Sequence, residues 1–230
     1  MGVVGSNPAT PTKIQDIKMI ITIDGPASSG KGTLAKNLAK HYNLYHLDSG
    51  SIFRWMAKHI IDNPGQPTNS ETFATQLRSA IATADLNDPA IRSESIAQKA
   101  SEISQIETIR SLFQTLCLDK VNQGIPSYDG AVIDGRDAGT VLFPNANVKL
   151  YLIVDSEERA RRRYLETQTT DPSITYEDIY KSIVVRDQRD ISRQNSPLKP
   201  ASDAYILDLT SETPEEVLSM AIALIKAKNI

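Results

Sequence analysis

The sequence predicts an α/β fold with three layers, a five-stranded parallel sheet lying between two layers of helices. Three observations predict it. Five short apolar runs, rich in β-branched residues and ending at polar residues or glycine, read as buried strands. Segments with apolar residues at helical spacing separate them. Alternation of the two in one chain implies a parallel sheet covered on both faces. The 230 residues suffice for one well-buried core with smaller attachments.

The elements follow in order. MIITID, Met19 to Asp24, is a buried strand that stops at Gly25. Lys31 to Tyr42 is a helix, with Leu34, Ala35, Leu38 and Ala39 on one face. YHL, Tyr45 to Leu47, is a second strand, and a helix from Ser51 to Ile61 stops at Asn63-Pro64-Gly65. Residues 70–83, 93–105 and 107–122 read as helices, broken at Asn87-Asp88-Pro89 and near Gln105. AVID (Ala131 to Asp134), VKLYLIV (Val148 to Val154) and AYILDL (Ala204 to Leu209) are the remaining strands. Helices span Ser156 to Gln168 and Tyr176 to Arg193, and Thr213-Pro214-Glu215-Glu216 caps and opens the last one. Residues 1–18 lack the apolar middle of a signal peptide and are expected to be a disordered extension, the folded domain starting at Met19. Gly2 and Ser6 formally fit a myristoylation pattern, which is short and common.

Composition excludes several classes. A net charge of −3 and pI of 5.7 supply no global field for nucleic acid. A lone cysteine, Cys117, makes no internal disulfide or thiolate zinc site, and its apolar helical setting marks it as a packing residue. A reduced, cytoplasmic setting fits it, and no apolar run reaches the length of a membrane span.

Chemistry concentrates in the loop Gly25-Pro26-Ala27-Ser28-Ser29-Gly30-Lys31-Gly32-Thr33, set between a strand and a helix. Glycines let backbone N–H groups wrap a phosphate, the helix N-terminus adds its positive end, and Lys31 reaches the outer phosphates. Gly32 stands where the general pattern has Ser or Thr, and Thr33 follows. Asp134 ends a buried strand, where an aspartate holds Mg²⁺ or caps a turn. Two clusters, Asp48-Ser49-Gly50 with Arg54 and Arg136-Asp137 after Asp134, place arginines beside strand ends. Arg159, Arg162 and Arg163, and then Arg186, Arg189, Asp190 and Arg193, repeat at helical spacing. They suit either phosphate binding or a solvated face.

Together the strings IDGPASSGKGT, LDSGSIFR, IDGRDAGT, FPNANVKLYL, SEERARRR and RDQRD resemble bacterial cytidylate kinase, in the same order from residue 20 to about 210. The resemblance implies a P-loop kinase fold with a helical monophosphate-binding insert (residues 49–130) and a mobile lid (157–175) on a core of 19–48, 131–156 and 194–230. It implies transfer of the ATP γ-phosphate to CMP or dCMP with Mg²⁺, by a monomer. Asp48, Ser49, Gly50, Arg54 and Arg136 would hold the acceptor phosphate. Ser101, Arg110 and Asp137 would read the base, and Arg186 and Asp190 the ribose. Arg193 would grip phosphates, Arg162 and Arg163 would cover ATP, and Lys31, Arg136, Arg186 and Arg193 would be catalytic. Gly25 to Thr33 would cradle ATP, with Thr33 and Asp134 near the metal. The sequence departs from the family at Phe53, at Cys117-Leu118, and in a shorter stretch between Arg54 and Ser101 that reads as helix and turn. Two other readings stay open: a kinase for another small acceptor such as UMP or AMP, and a regulatory NTP-binding module.

Overall fold

The computed structural model of the protein describes residues 19–65, 68–169 and 171–228. The expectations for residues 1–18, the Gly2 pattern included, lie outside them. Five strands, β1 (Met19–Asp24), β2 (Tyr45–Asp48), β3 (Gly130–Gly135), β4 (Val148–Ile153) and β5 (Tyr205–Asp208), form one sheet in the order β2-β3-β1-β4-β5. Every neighbouring pair is parallel.

The period of two along each strand sorts residues between two cores. Ile21 and Ile23 of β1 and Val132 of β3 face α1 (Lys31–Tyr42) and α8 (Pro214–Ala227), through Leu34, Leu38, Val217, Ala221 and Ile225. Ile20, Ala131, Ile133 and Leu47 face the other way. They bury against α2 (Ser49–Asp62), α3 (Glu71–Ile81), α4 (Glu94–Ile103) and α5 (Glu107–Gly124), where Phe113, Met56 and Cys117 complete the second core. A third, small cluster of Ala160, Ile179 and Ile183 joins α6 (Ser156–Gln168) to α7 (Tyr176–Ser192). The segment between β2 and β3 contains no strand among the described residues, as the expected helix and turn require.

Two local features differ from the sequence reading. Helix α2 begins at Ser49, two residues before the expected start, because Asp48 Oδ1 accepts the Ser51 N–H at 3.1 Å and caps it. The stretch AGTVL, Ala138–Leu142, forms one π-helical turn that follows Arg136 and Asp137 at the end of β3. Thr213 caps α8 in a capping box with Glu216, as its spacing predicts.

Register sets the site. Asp24 lies opposite Gly135, and Asp48 opposite Asp134. The C-terminal ends of β1, β2 and β3 are therefore level, and the loops that follow them open onto one edge of the sheet. No helix of the described residues is long and apolar enough to cross a membrane.

Candidate active site

The loop after β1 is built around left-handed residues, Ser28 at φ 56° and Gly30 at φ 83°. Gly30 is also the N-cap of α1; it brings no side chain to the helix end, and the first turn carries no acidic residue. The orphan N–H groups and positive end of α1 thus stay available to an anion. Lys31 is buried and donates to Pro26 O and, at 3.1 Å, to Ser29 Oγ. Burial, with Arg136 nearby, pushes its ammonium pKa well below the ordinary value.

Arg159 belongs to this loop's scaffold. It is 5% exposed, pairs with Asp187 at 2.6 Å, and donates to Val154 O at 2.9 Å and Ala27 O at 3.2 Å. Asp187 accepts the Ala27 N–H at 3.4 Å, so the pair holds that residue by both its N–H and its C=O.

Across from the loop, Asp48 Oδ2 takes Arg54 Nη2 at 2.6 Å, and Arg92 stands 3.8 Å from it. Burial would raise the Asp48 pKa, but Arg54 and Arg92 outweigh it and hold it below the ordinary value. Asp190 is the hub of the far wall. It accepts Ser101 Oγ at 3.1 Å and Arg136 Nε at 3.2 Å, with Arg193 at 3.8 Å and Arg186 at 3.9 Å. These arginines keep the Asp190 carboxyl ionised against its burial. Burial first, and neighbouring arginines second, lower Arg186 and Arg193 to about 10, so both stay cationic near neutrality.

The side chains enclose a cleft of about 390 Å³ lined by Ser28 to Thr33, Asp48 to Gly50, Arg54, Ser101, Asp134, Arg136, Asp137, Arg163, Arg186, Asp190 and Arg193. Arg54 Nε, Arg186 Nε and Arg193 Nη2 are buried there with no hydrogen-bond partner among the described residues. A buried donor left unmade costs about 1–3 kcal/mol, more when charged. An anion that satisfied these groups would recover that cost.

Not every predicted residue reaches the cleft. Gly25, Pro26 and Ala27 form the back of the loop and do not line it. Arg162 is held by Glu158 at 2.7 Å and the Leu209 carbonyl at 3.2 Å, whereas Arg163 does line the cleft. Arg110 sits behind the wall. Its Nη1 meets Asp137 Oδ2 at 2.8 Å, its Nε meets Ser104 O at 3.0 Å, and its guanidinium lies over the rings of Phe53 (4.9 Å) and Phe113 (5.5 Å). Those rings stack at 3.9 Å, and both line the cleft. Phe53 thus serves packing here, without a hydroxyl.

The oxygen donors suit a hard cation. Asp134 Oδ1 accepts His46 Nε2 at 2.7 Å, while Oδ2 lies 4.0 Å from where a side-chain carbon on Gly32 would stand, facing the start of α1. Thr33 is exposed on the same rim. No cluster of three metal-ligating side chains occurs among the described residues. Such a site fits Mg²⁺, which keeps most of its ligands as water and phosphate oxygen.

A family model described as "Cytidylate kinase" matches residues 21–227. The chain belongs to the cytidylate kinase family. A cytidylate kinase of Rhodopseudomonas palustris (strain BisB18) is 40% identical over 209 residues, covering 91% of this chain and 96% of its own. One from Nitrobacter winogradskyi is 39% identical over 217 residues, covering 92% and 98%. A third, from Methylocella silvestris, is 38% identical over 209 residues, covering 91% and 94%.

Within this cytidylate kinase family member, sequence reasoning missed Arg92, His46, Phe113 and Asp24. Arg92 follows the Pro89 turn, and an arginine closing a short turn gives no pattern to notice. His46 lies inside a four-residue strand, too short for its alternation to show which way it faces. Phe113 looks like any core residue of an amphipathic helix.

Proposed function

We propose that the protein transfers the γ-phosphate of ATP to CMP or dCMP, giving ADP and CDP or dCDP. One observation carries the reading beyond family membership. Arg54, Arg186 and Arg193, each with a buried donor that makes no hydrogen bond among the described residues, line the same cleft as Lys31 and the phosphate loop. A nucleotide monophosphate supplies an anion for those donors and leaves an anionic oxygen as nucleophile, so no general base is required.

In this reading the loop from Gly25 to Thr33 holds the ATP phosphates, with Lys31 on the outer ones. Arg54, Arg136 and Arg193 orient the acceptor phosphate, with Asp48, Ser49 and Gly50 shaping its seat. Ser101 and Asp137 read the base edge, and Arg110, 2.8 Å from Asp137, aims its carboxylate. Asp190 and Arg186 take the ribose. Asp134 and Thr33 would hold Mg²⁺ through water, and the ion, when bound, neutralises charge on the ATP phosphates. Residues 157–175, carrying Arg163 and its partner Glu166 at 3.5 Å, form a lid that excludes water as an alternative acceptor. Catalysis is positioning plus charge stabilisation by Lys31, Arg136, Arg186 and Arg193. The reading includes a cytoplasmic monomer with no nucleic-acid or membrane partner.

The test is ADP release with Mg²⁺-ATP and CMP, dCMP, UMP, AMP or no acceptor. Turnover confined to CMP and dCMP supports the reading. Equal turnover without an acceptor would replace it with an NTP-hydrolysing module, and preference for UMP or AMP with a different kinase.

A further inference from the structure

Asp24 closes β1, and the phosphate loop begins at the next residue. Its side chain does not line the cleft, and the residue is 5% exposed. Both carboxylate oxygens are used. The Ala138 N–H donates to Oδ1 at 2.8 Å, and the Gly139 N–H donates to Oδ2 at 2.7 Å. These two amides open the turn that directly follows Arg136 and Asp137.

The approach is close on the other side as well. A β-carbon on Gly139 would stand 2.7 Å from Thr22 Oγ1 and 3.3 Å from Asp24 Oδ2. Contacts under 3 Å do not occur for real β-carbons, so the backbone at 139 can lie against β1 because it is glycine. Thr22 and Asp24 share one face of β1, two residues apart. One strand end therefore carries the donor loop in its chain and grips the acceptor loop through its carboxylate.

We propose that Asp24 is a positioning residue that fixes the loop bearing Arg136 and Asp137 relative to the phosphate loop. It touches neither nucleotide. It acts through the peptides of Ala138 and Gly139, and so sets the distance between the acceptor-phosphate arginine and Lys31. The role rests on the phosphoryl-transfer reading above. A misplacement of about 1 Å in such a site can cost about 100-fold in rate.

The test uses the full chain with two variants that attack the contact from opposite sides. Asp24→Asn keeps one acceptor and turns amide hydrogens toward the other N–H. Gly139→Ala forces the turn off β1. Both are expected to lower kcat/KM for CMP by about 10- to 100-fold while KM for ATP stays within about 2-fold, since Arg159 and Asp187 still hold the phosphate loop. Hydrogen exchange of the peptide covering residues 136–142 is expected to speed up in both. Equal losses toward CMP and ATP, or unchanged kinetics, would overturn the proposal. Should Asp24→Asn fail to fold, Gly139→Ala decides alone. Should the wild type not phosphorylate CMP, the functional reading fails, and the exchange experiment still decides: unchanged exchange in the variants overturns the positioning role.

Discussion

Lys31 donates its buried ammonium to the carbonyl and hydroxyl of its own loop, Pro26 and Ser29, which hold it in one place; in the proposed reaction that place is beside the ATP phosphates. Lys31→Ala is expected to lower kcat by about 100- to 1,000-fold, the usual cost of losing one preorganised donor. Steady-state kinetics check this, and near-normal turnover would remove the loop from the chemistry. A pH prediction belongs to Asp24. Burial raises its pKa from 3.8 to about 6, against the pull of the Ala138 and Gly139 amides. The sign follows from linkage: the folded state takes up a proton that the unfolded state does not between those values. Its stabilising contribution is present below the unfolded pKa and is lost as pH rises through about 6. Asp48 and Asp190, both held below 3.8, lose theirs only in stronger acid. Protonation nevertheless replaces an acceptor at Asp24 by O–H and loosens the turn. Activity toward CMP is thus expected to fall as pH drops through about 6 without a matching fall in melting temperature. Asp24→Asn is expected to lack that limb in the pH profile of kcat/KM. Places in the cleft were legible where type and motif coincide, as at Lys31 and Asp48. They were illegible where neighbours decide: four arginines within five positions of α6 look alike, yet Arg159 is buried scaffold, Arg161 and Arg162 pair with Glu158, and Arg163 reaches the cleft.

Among the elements, α6 and α7 meet the phosphate loop through the Arg159–Asp187 pair. Removing one member of a buried pair leaves an uncompensated charge and costs about 3–5 kcal/mol. Arg159→Met is expected to lower the melting temperature and raise KM for ATP as the Ala27 peptide is released. Arg159→Met with Asp187→Leu should regain stability but not ATP affinity; recovery of both would show that the pair does not position the loop. The strands were readable because buried parallel strands are short β-branched runs, and all five were found. The turn at Ala138–Leu142 was not, because its geometry comes from Asp24 and Thr22, which lie more than a hundred residues away in the chain. Nor could the α2 start be placed, since Asp48 is both strand end and cap.

At the scale of the molecule, α4 and the α6–α7 pair are joined by polar bridges. Arg163 pairs with Glu94 at 3.4 Å, Gln98 donates to the Ser182 carbonyl at 3.1 Å, and Arg189 donates to Gln98 at 3.3 Å. The α6–α7 core holds three buried apolar residues, against the many under the sheet. Low apolar burial places a segment at the low end of local stability. Amides of α6 and α7 are expected to exchange far faster than those of β1 and β3, and to slow when ATP and CMP are added together. Uniform exchange across the chain would contradict a separately moving lid.

Cys117, fully buried on α5 against the core that backs Arg110 and Phe113, offers a clock for the opposite wall. Burial pushes its thiol pKa well up, so the closed protein presents no thiolate to a reagent. Chemical labelling must then wait for α5 to open, and its rate counts those openings. Because the chain has a single sulfhydryl, every adduct reports the same event, and an acceptor nucleotide bound over that wall would lengthen the interval between ticks.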